Sequence, residues 1–188
     1  MSNGTRAGDE IDVTITYLAM ANPPTFSHPA APSLPGLSLI RAEDPPARWF
    51  RHLYGSVGAD YEWTAWNARD DDAVRSFIND PAVTMHVVML QGWTAGFFML
   101  DTRKPPTCDL AYFGLTPEAR GRGIGSWLLK TAILTAWELP GVTSVTVNTC
   151  SLDAPRALPL YQRMGFLPIS REVVKHIRSR DVIPTRHF

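Results

Sequence analysis

Glycine and arginine alternate over residues 118–129 (EARGRGIGSWLL), which form the densest glycine cluster of the chain and run into an apolar stretch. The N-terminus of a helix offers free N–H groups and a partial positive charge of about half an electron. Glycines let the backbone approach a phosphate closely, and arginines add charge-assisted hydrogen bonds. A surface turn with glycines for packing would not explain the arginines. The cluster therefore predicts a phosphate or pyrophosphate site formed by Arg120, Gly121, Arg122, Gly123, Ile124, Gly125 and Ser126.

Two other phosphate-binding motifs fit the same cluster less well. A Walker A loop requires GxxxxGK[ST], whereas the fifth residue after Gly121 is Ser126, followed by Trp127. A dinucleotide-binding fingerprint requires GxGxxG, and Gly121 and Gly123 match it, but Ser126 occupies the last glycine position. The cluster also follows segments with an antiparallel hairpin pattern, so a dinucleotide-binding fold is the weaker alternative.

Composition and charge limit the class of protein. The 188 residues include 18 Lys and Arg and 18 Asp and Glu, so the formal net charge is +0, which disfavours a nucleic-acid partner. No stretch approaches the roughly 20 apolar residues of a membrane span, and the polar N-terminus lacks the apolar region of a secretory signal. Cys108 and Cys150 lack zinc-ligand spacing, so we expect reduced thiols and no metal site. These features predict a cytoplasmic protein without a membrane partner.

Hydrophobic periodicity and turn residues predict the element order β-β-α-α-β-β-β-α-β-α-β. A flexible tail over residues 1–10 precedes a single domain over 11–188, and five prolines make 22–36 an extended connection. A helix that joins neighbouring strands favours a parallel pair, whereas the hairpins before it are antiparallel. The fold class is therefore α/β or α+β, with a mixed sheet of about seven strands and helices on both faces. The strands are predicted over 11–20, 37–42, 82–90, 94–100, 108–115, 142–150 and 166–170, and the helices over 43–58, 71–80, 123–139 and 153–165.

Two motifs resemble the signatures of one family. The segment 120–125 matches the [Q/R]-x-x-G-x-[G/A] signature of the GNAT superfamily of acetyl-CoA-dependent N-acetyltransferases. The segment 156–166 resembles the second signature of that family, A-x-x-x-Y-x-x-x-G-F, and a predicted strand separates the two motifs, as in the family. Ala154 occupies the position at which many relatives carry Asn. The close match covers residues 82–168, which we expect to form an acetyl-CoA-binding core.

The resemblance implies a mostly antiparallel twisted sheet whose central parallel strands, 108–115 and 144–149, splay apart to bind acetyl-CoA. The amides of residues 121–126 would hold the pyrophosphate, and the amide of Leu115 would polarise the thioester carbonyl. We expect a monomer or a homodimer. The residues that complete the predicted cofactor-binding set are Phe113, Thr116 and Ala157.

Tyr161 and Asp109 are the predicted catalytic residues. The second motif implies that Tyr161 donates a proton to the departing thiolate, and the alternative is a core aromatic residue beside Phe166. Asp109 is the predicted base because it lies six residues before Leu115 on the same strand, where the histone-acetylating branch of the family has a catalytic Glu. The alternative is a solvated carboxylate at the end of a strand. Alternation with period 2 would place Asp109, Ala111, Phe113 and Leu115 on one face of the sheet.

The aromatic stretch 61–66 is the predicted wall of the acceptor site. Aromatic rings beside a carboxylate suit an amine, because they combine cation–π contacts with a counter-charge. The alternative is simple packing of large aromatic side chains under a loop. The predicted acceptor contacts are Glu62, Trp63, Trp66 and Tyr112, and Glu62 and His86 are weaker candidates for the base.

The sequence thus predicts an N-acetyltransferase that moves an acetyl group from acetyl-CoA to a small-molecule or peptide amine. The amine would attack the thioester directly in a ternary complex. An amine such as that of lysine has a pKa of about 10.4 and must lose a proton before it attacks. The alternative function is a non-catalytic acyl-CoA-binding module.

Overall fold

The structure, a computed structural model, describes residues 5–181. In this part of the chain, seven strands and four helices follow one another in the predicted order. Short 3₁₀ helices cover Ala59–Tyr61 and Pro117–Ala119. The strands are β1 (Glu10–Met20), β2 (Ser38–Ala42), β3 (Val83–Leu90), β4 (Trp93–Lys104), β5 (Thr107–Leu115), β6 (Ser144–Cys150) and β7 (Leu167–Ile177). The helices are α1 (Ala47–Gly58), α2 (Asp71–Ile78), α3 (Ile124–Glu138) and α4 (Ala157–Arg163).

The strands form one mixed sheet in the order β2-β3-β4-β5-β6-β1-β7. Within residues 5–181, β5 and β6 are parallel neighbours and the other neighbouring pairs are antiparallel. The pairing of β5 with β6 covers residues 107–109 and 144–146, and beyond these residues the two strands separate. This arrangement confirms the predicted mixed sheet with a parallel pair at its centre. Since α3 connects β5 to β6, the parallel direction follows from the helical crossover.

Two hydrophobic clusters lie on opposite faces of the sheet. On one face, α1 and α2 cover β3 and β4 through Phe50, Phe77 and Phe97. On the other face, α3 and the end of α4 pack on the sheet through Leu128 and Tyr161. Neighbouring residues of β4 belong to different clusters, as expected for side chains that alternate along a strand. The helices therefore cover both faces, as predicted.

A β-bulge interrupts the alternation of side chains in β5. Met99 of β4 lies opposite Tyr112, but the next residue, Leu100, lies opposite Leu110, so Ala111 is an extra residue in β5. A bulge of this kind leaves one residue unpaired and shifts the side chains that follow it to the other face. Leu110 accordingly packs in the same cluster as Phe113, whereas Tyr112 packs against α1 and α2.

The bulge makes one sequence prediction wrong. Cys108 and Leu110 belong to the cluster under α3, so Asp109 between them points to the α1/α2 face of the sheet. Phe113 and Leu115 pack on the α3 side. The four residues predicted to share one face, Asp109, Ala111, Phe113 and Leu115, are therefore divided by the bulge between the two faces.

Hydrogen bonds connect the first described residues, near residue 8, with the last ones, near residue 180. Gly8 N–H donates to the carbonyl oxygen of Arg178 at 2.9 Å, and Ala7 N–H donates to Oδ1 of Asp181 at 2.8 Å. Of the predicted flexible tail, residues 1–4 lie outside the described residues, as do residues 182–188 of the predicted domain. The proline-rich connection 22–36 contains no helix or strand. None of the helices between residues 5 and 181 has the length and apolar character needed to cross a membrane.

Candidate active site

The separation of β5 from β6 opens a cavity of about 360 Å³. Its walls come from β5, β6, the start of α3, the turn before α4 and the loop after α1. The predicted site residues that line it are Trp63, Tyr112, Phe113, Leu115, Arg120, Gly121, Gly125, Ser126, Ala157 and Tyr161. The predicted residues that do not line it are Glu62, Trp66, Asp109, Thr116, Arg122, Gly123 and Ile124.

The glycine cluster leaves open space in front of the first turn of α3. Gly121 and Gly123 both have a φ of +77°. Apart from the adjacent residues in the chain, no described residue has an atom within 4 Å of a Cβ built on either glycine. Gly123 is the N-cap of α3, and no side chain caps this helix end. Ile124 is fully buried and anchors the start of the helix, so its side chain cannot reach the cavity. The free amides of the first turn therefore remain accessible to an anion.

The side chain of Arg120 is held at the edge of this opening. Its Nε donates to the carbonyl oxygen of Leu115 at 3.4 Å, and its Nη1 donates to Oδ2 of Asp60 at 2.9 Å. The guanidinium carbon lies 5.1 Å from the ring centroid of Tyr61. Arg120 Nη2 is buried and has no hydrogen-bond partner among the described residues, whereas Arg122 is exposed to solvent. An unpartnered buried N–H group beside free helix amides fits a phosphate group.

The backbone of β5 offers a free edge to the cavity. Thr116 N–H donates to the carbonyl oxygen of Ala95 in β4 at 2.9 Å. Because successive N–H groups of a strand point to opposite sides, the N–H of Leu115 points away from β4 and towards the separated strand β6. The Thr116 side chain is buried, and its hydroxyl has no partner among the described residues. Leu115 thus presents an amide to the cavity, and Thr116 does not.

Tyr161 lies at the border between the cavity and the core. The residue is 7% exposed, lines the cavity and packs edge-on against Phe113 and Phe166, with ring centroids 6.5 and 6.0 Å away. Burial, and then the negative charge of Asp153, raise the pKa of the Tyr161 phenol. The phenol therefore stays protonated at neutral pH and has a proton to donate, although the raised pKa makes it a weaker acid than a free tyrosine.

Asp109 lies at the end of β5 where the two parallel strands are still paired. Its Oδ1 accepts a hydrogen bond from Thr146 Oγ1 of β6 at 2.6 Å. Burial raises the pKa of the Asp109 carboxyl, and the Thr146 hydroxyl partly opposes this shift. Asp109 is thus a partly buried, hydrogen-bonded carboxyl group and not the solvated strand-end carboxylate of the alternative interpretation, although it does not line the cavity.

Aromatic rings form the wall of the cavity on the α1/α2 side. Trp63 and Tyr112 line it, with ring centroids 5.4 Å apart in an edge-to-face arrangement. Tyr61, the first residue of the predicted aromatic stretch 61–66, also lines it. Trp66 does not, because its indole N–H donates to the Tyr112 hydroxyl at 2.7 Å and its ring stacks on Phe77. Packing is thus the better interpretation of Trp66, whereas Trp63 and Tyr112 are available to an acceptor.

The carboxylate of Glu62 points away from the cavity, which argues against the counter-charge predicted for it. The side chain is 1% exposed, and its Oε2 accepts hydrogen bonds from Ser179 N–H at 2.9 Å and Ser179 Oγ at 2.6 Å. Burial alone would raise the pKa of this carboxyl, but the hydrogen bonds from Ser179 and His176 and the charge of Arg178 lower it to about 2.

His86 and the two cysteines do not line the cavity. His86 of β3 stacks on Phe98 with ring centroids 4.7 Å apart, and burial lowers its pKa. Cys108 is buried in the core, where burial raises the pKa of its thiol to about 12. Cys150, at the end of β6, is also a free thiol, with its pKa raised by burial. Neither cysteine therefore has the character of a nucleophile at neutral pH.

Some cavity residues on β6 and in the turn before α4 were not predicted from the sequence. Asn148 lines the cavity from the separated part of β6. Asp153 lines it from the turn, where its Oδ2 accepts hydrogen bonds from Thr149 Oγ1 at 2.7 Å and Cys150 N–H at 2.9 Å. The available signal was the pair Asp153-Ala154, at the point where the family motif departs from its usual Asn.

Comparison with known proteins agrees with this geometry. The profile described as the acetyltransferase (GNAT) family matches residues 43–166. No curated protein matches the chain. Among solved structures, a GCN5-related N-acetyltransferase from Kribbella flavida is 20% identical with a TM-score of 0.57, and the alignment covers 88% of this chain and 58% of that one.

Two other solved structures share the fold. A tandem GNAT protein from the clavulanic acid biosynthesis pathway is 17% identical with a TM-score of 0.60, and the alignment covers 90% of this chain and 54% of that one. An aminoglycoside acetyltransferase from an uncultured soil metagenomic sample, in complex with sisomicin, is 16% identical with a TM-score of 0.55. That alignment covers 68% of this chain and 86% of the other. The chain thus spans somewhat more than half of the Kribbella and tandem proteins. The match over residues 43–166 means that the chain belongs to the acetyltransferase (GNAT) family.

Proposed function

We propose that the protein is an N-acetyltransferase that moves an acetyl group from acetyl-CoA to a primary amine by direct attack in a ternary complex. The observation that carries this proposal is the cavity between β5 and β6, which ends at the free amides of α3 and at the unpartnered Nη2 of Arg120. When bound there, acetyl-CoA supplies an acetyl group that is activated as a thioester.

The residues of the α3 side would bind and orient the cosubstrate. The amides of residues 121–126 and the guanidinium of Arg120 hold the pyrophosphate. The free N–H of Leu115 donates to the carbonyl oxygen of the thioester, where negative charge develops during attack. Phe113 and Ala157 flank the chain of the cosubstrate, since both line the same cavity.

The acceptor amine would reach the thioester along the aromatic wall, because Tyr61, Trp63 and Tyr112 line the cavity on the α1/α2 side. Trp63 and Tyr112 contact the amine through their rings. Asp109 accepts the amine proton through a water molecule, since Asp109 itself does not line the cavity. Tyr161 donates its proton to the sulfur of the leaving group.

A small-molecule or peptide amine is the proposed acceptor class. One structural neighbour is an aminoglycoside acetyltransferase in complex with sisomicin, and aminoglycosides carry several primary amines. The alignment covers only 54% of the tandem neighbour. The acceptor class is therefore proposed for this chain and is not transferred from that protein. Sisomicin, polyamines, amino acids and lysine peptides form a suitable test panel.

Thiol release from acetyl-CoA in the presence of this panel tests the proposed function. We expect at least one amine to release thiol in proportion to acetylated product measured by mass spectrometry. The matched control is Gly123→Glu, in which a bulky anion occupies the phosphate site. Binding of acetyl-CoA without thiol release for any amine would favour the acyl-CoA-binding module. Absence of binding at millimolar acetyl-CoA would contradict both functions.

A further inference from the structure

The buried carboxylate of Glu62 gathers the charged groups of one distant segment, residues 176–180. Besides the two hydrogen bonds from Ser179, it lies 3.5 Å from Nε2 of His176, 3.5 Å from Nη1 of Arg178 and 3.6 Å from Nε of Arg180. Four side chains of the C-terminal segment therefore converge on one carboxylate of the loop after α1.

The backbone of Glu62 is in a conformation that non-glycine residues rarely adopt. Its φ is +60° and its ψ is +33°, in the left-handed region. Such a conformation is strained and persists only where the surrounding structure over-determines it. The contacts with residues 176–180 supply that constraint, so the shape of the loop depends on them.

The neighbours of Glu62 face the cavity. Tyr61 and Trp63 line it on either side of Glu62 in the chain. Asp60 accepts the hydrogen bond from Arg120, and the Arg120 guanidinium lies over the ring of Tyr61. The loop 60–63 therefore connects the C-terminal segment to the arginine at the phosphate site.

We infer that Glu62 is a positioning residue, by which the C-terminal segment 176–180 fixes the loop 60–63 and, through Asp60, the orientation of Arg120 for the phosphates of acetyl-CoA. Arg120 is attached to the loop through Nη1 and to Leu115 through Nε, which leaves Nη2 for the ligand. A pre-oriented donor loses less conformational entropy when the ligand binds. This inference rests on the proposed function, because it concerns the same acetyl-CoA site.

Glu62→Gln and Asp60→Asn, alone and together, test this pathway by calorimetric titration with acetyl-CoA. We expect each single variant to raise the Kd by about 2- to 10-fold, the lower part of the range of couplings between contacting residues. The double variant should have the Kd of Asp60→Asn, because both changes break the same connection. The matched control is Asp71→Asn, which removes a carboxylate paired with Arg51 outside the cavity and should leave the Kd unchanged.

Ser179→Ala keeps the test decisive if Glu62→Gln does not fold. Ser179 is exposed, and the substitution removes only its hydroxyl bond to Glu62, so the fold should persist. The inference would be supported if Ser179→Ala raises the Kd of the otherwise wild-type protein but causes no further rise in a protein that already carries Asp60→Asn. An unchanged Kd in folded Glu62→Gln and Ser179→Ala, or effects that simply add to that of Asp60→Asn, would overturn it. If the wild-type protein does not bind acetyl-CoA, the proposed function fails as well.

Discussion

One wall of the cavity is made of backbone, and the opposite wall is made of side chains. The cofactor wall, which comprises residues 120–126 and the free edge of β5, presents N–H groups and the guanidinium of Arg120. The acceptor wall, which comprises Tyr61, Trp63 and Tyr112, presents aromatic rings. Contiguous residues fix the amides of the first wall through their φ angles. Long-range contacts such as Glu62 with Ser179 fix the loop that carries the second wall and that holds Arg120 through Asp60.

Because of this difference, we expect the two walls to respond differently to single substitutions. A change of one glycine in the cofactor wall alters the space that a phosphate needs, and no other part of the molecule compensates for it. In the acceptor wall, several rings pack against one another, and Trp63 contacts both Tyr54 and Tyr112. The remaining rings can therefore partly fill the space when one side chain is replaced. Variants of the cofactor wall should therefore act first on acetyl-CoA binding, and variants of the acceptor wall on the amine.

The largest expected effect is that of Gly123→Glu on acetyl-CoA binding. The new side chain would project into the open space before α3 and repel the pyrophosphate. We expect the rise in Tm that acetyl-CoA gives the wild-type protein at millimolar concentration to disappear in the variant. Thermal denaturation with and without acetyl-CoA measures it.

Gly141→Glu is a matched control for this experiment. Gly141 has the same φ of +77° and the same open surroundings, but it lies beyond the end of α3 and outside the cavity. Its backbone strain should lower the Tm as much as that of Gly123→Glu while the response to acetyl-CoA persists. Equal loss of the response in both variants would attribute the effect to strain and not to the phosphate site.

Tyr161→Phe should have the next largest effect, and on turnover alone. The substitution keeps the ring between Phe113 and Phe166 and removes the hydroxyl. A positioned general acid contributes about 10²–10⁴-fold, so kcat should fall by that factor with an amine from the panel. The Kd for acetyl-CoA should hardly change, since the hydroxyl interacts with the sulfur as charge develops and not with the phosphates.

The partly exposed Tyr17 provides the control for this substitution. It lies on β1 outside the cavity, so Tyr17→Phe should leave kcat unchanged. A wild-type kcat in Tyr161→Phe would return Tyr161 to the role of a core aromatic residue. Steady-state rates and calorimetric titration of the same preparations separate turnover from binding.

Asp109→Asn should lower activity and raise stability at the same time. Burial raises the pKa of the carboxyl, so the folded state binds its proton more tightly than the unfolded state does. Charging this group at neutral pH therefore costs stability, and the neutral isostere, which keeps the bond from Thr146, should raise the Tm at pH 7.

The activity of Asp109→Asn decides whether the carboxyl acts as the base. If it accepts the amine proton through water, kcat/KM should fall by about 10²-fold. The rate of the wild-type enzyme should also decrease as the pH falls through the raised pKa of Asp109, and the variant should lack that decrease. A more stable variant with an unchanged pH–rate profile would contradict the role of base. Tm and pH–rate profiles provide both readouts.

The sequence was sufficient for the elements that carry the cofactor wall, because these follow from local patterns, although the predicted residues Arg122, Gly123 and Ile124 do not line the cavity. The order of the elements, the parallel pair and the open start of α3 follow from hydrophobic periodicity and from two glycine-containing motifs. The face assigned to Asp109 was wrong because the bulge at Ala111 depends on how β5 pairs with β4. No periodicity in a single strand reveals an extra residue that is defined by its partner.

The acceptor wall was only partly predictable for a related reason. An aromatic stretch indicates contacts, but it does not decide which side chain points to the cavity. Glu62 points away because residues more than 100 positions later in the chain bind its carboxylate. The position of β1 between β6 and β7 could not be predicted from the sequence either, since no local pattern indicates which strands pair with β1.

The smallest expected effect concerns the pH dependence that Glu62 gives to the acceptor wall. The pKa of its carboxyl is about 2 in the folded protein and 4.5 in its unperturbed form. Since the folded pKa is depressed, the stabilisation by the carboxylate is complete above pH 4.5 and is lost as the pH falls towards 2. The Tm of the wild type should exceed that of Glu62→Gln at pH 7, and this difference should shrink between pH 4.5 and 2. A difference of about 2–4 °C corresponds to 1 kcal/mol for a domain of this size. Thermal denaturation of both proteins over this pH range measures this difference, to which the other titrating groups contribute equally in both proteins. A difference in Tm that stays constant would show that packing, and not the charge of Glu62, fixes the loop.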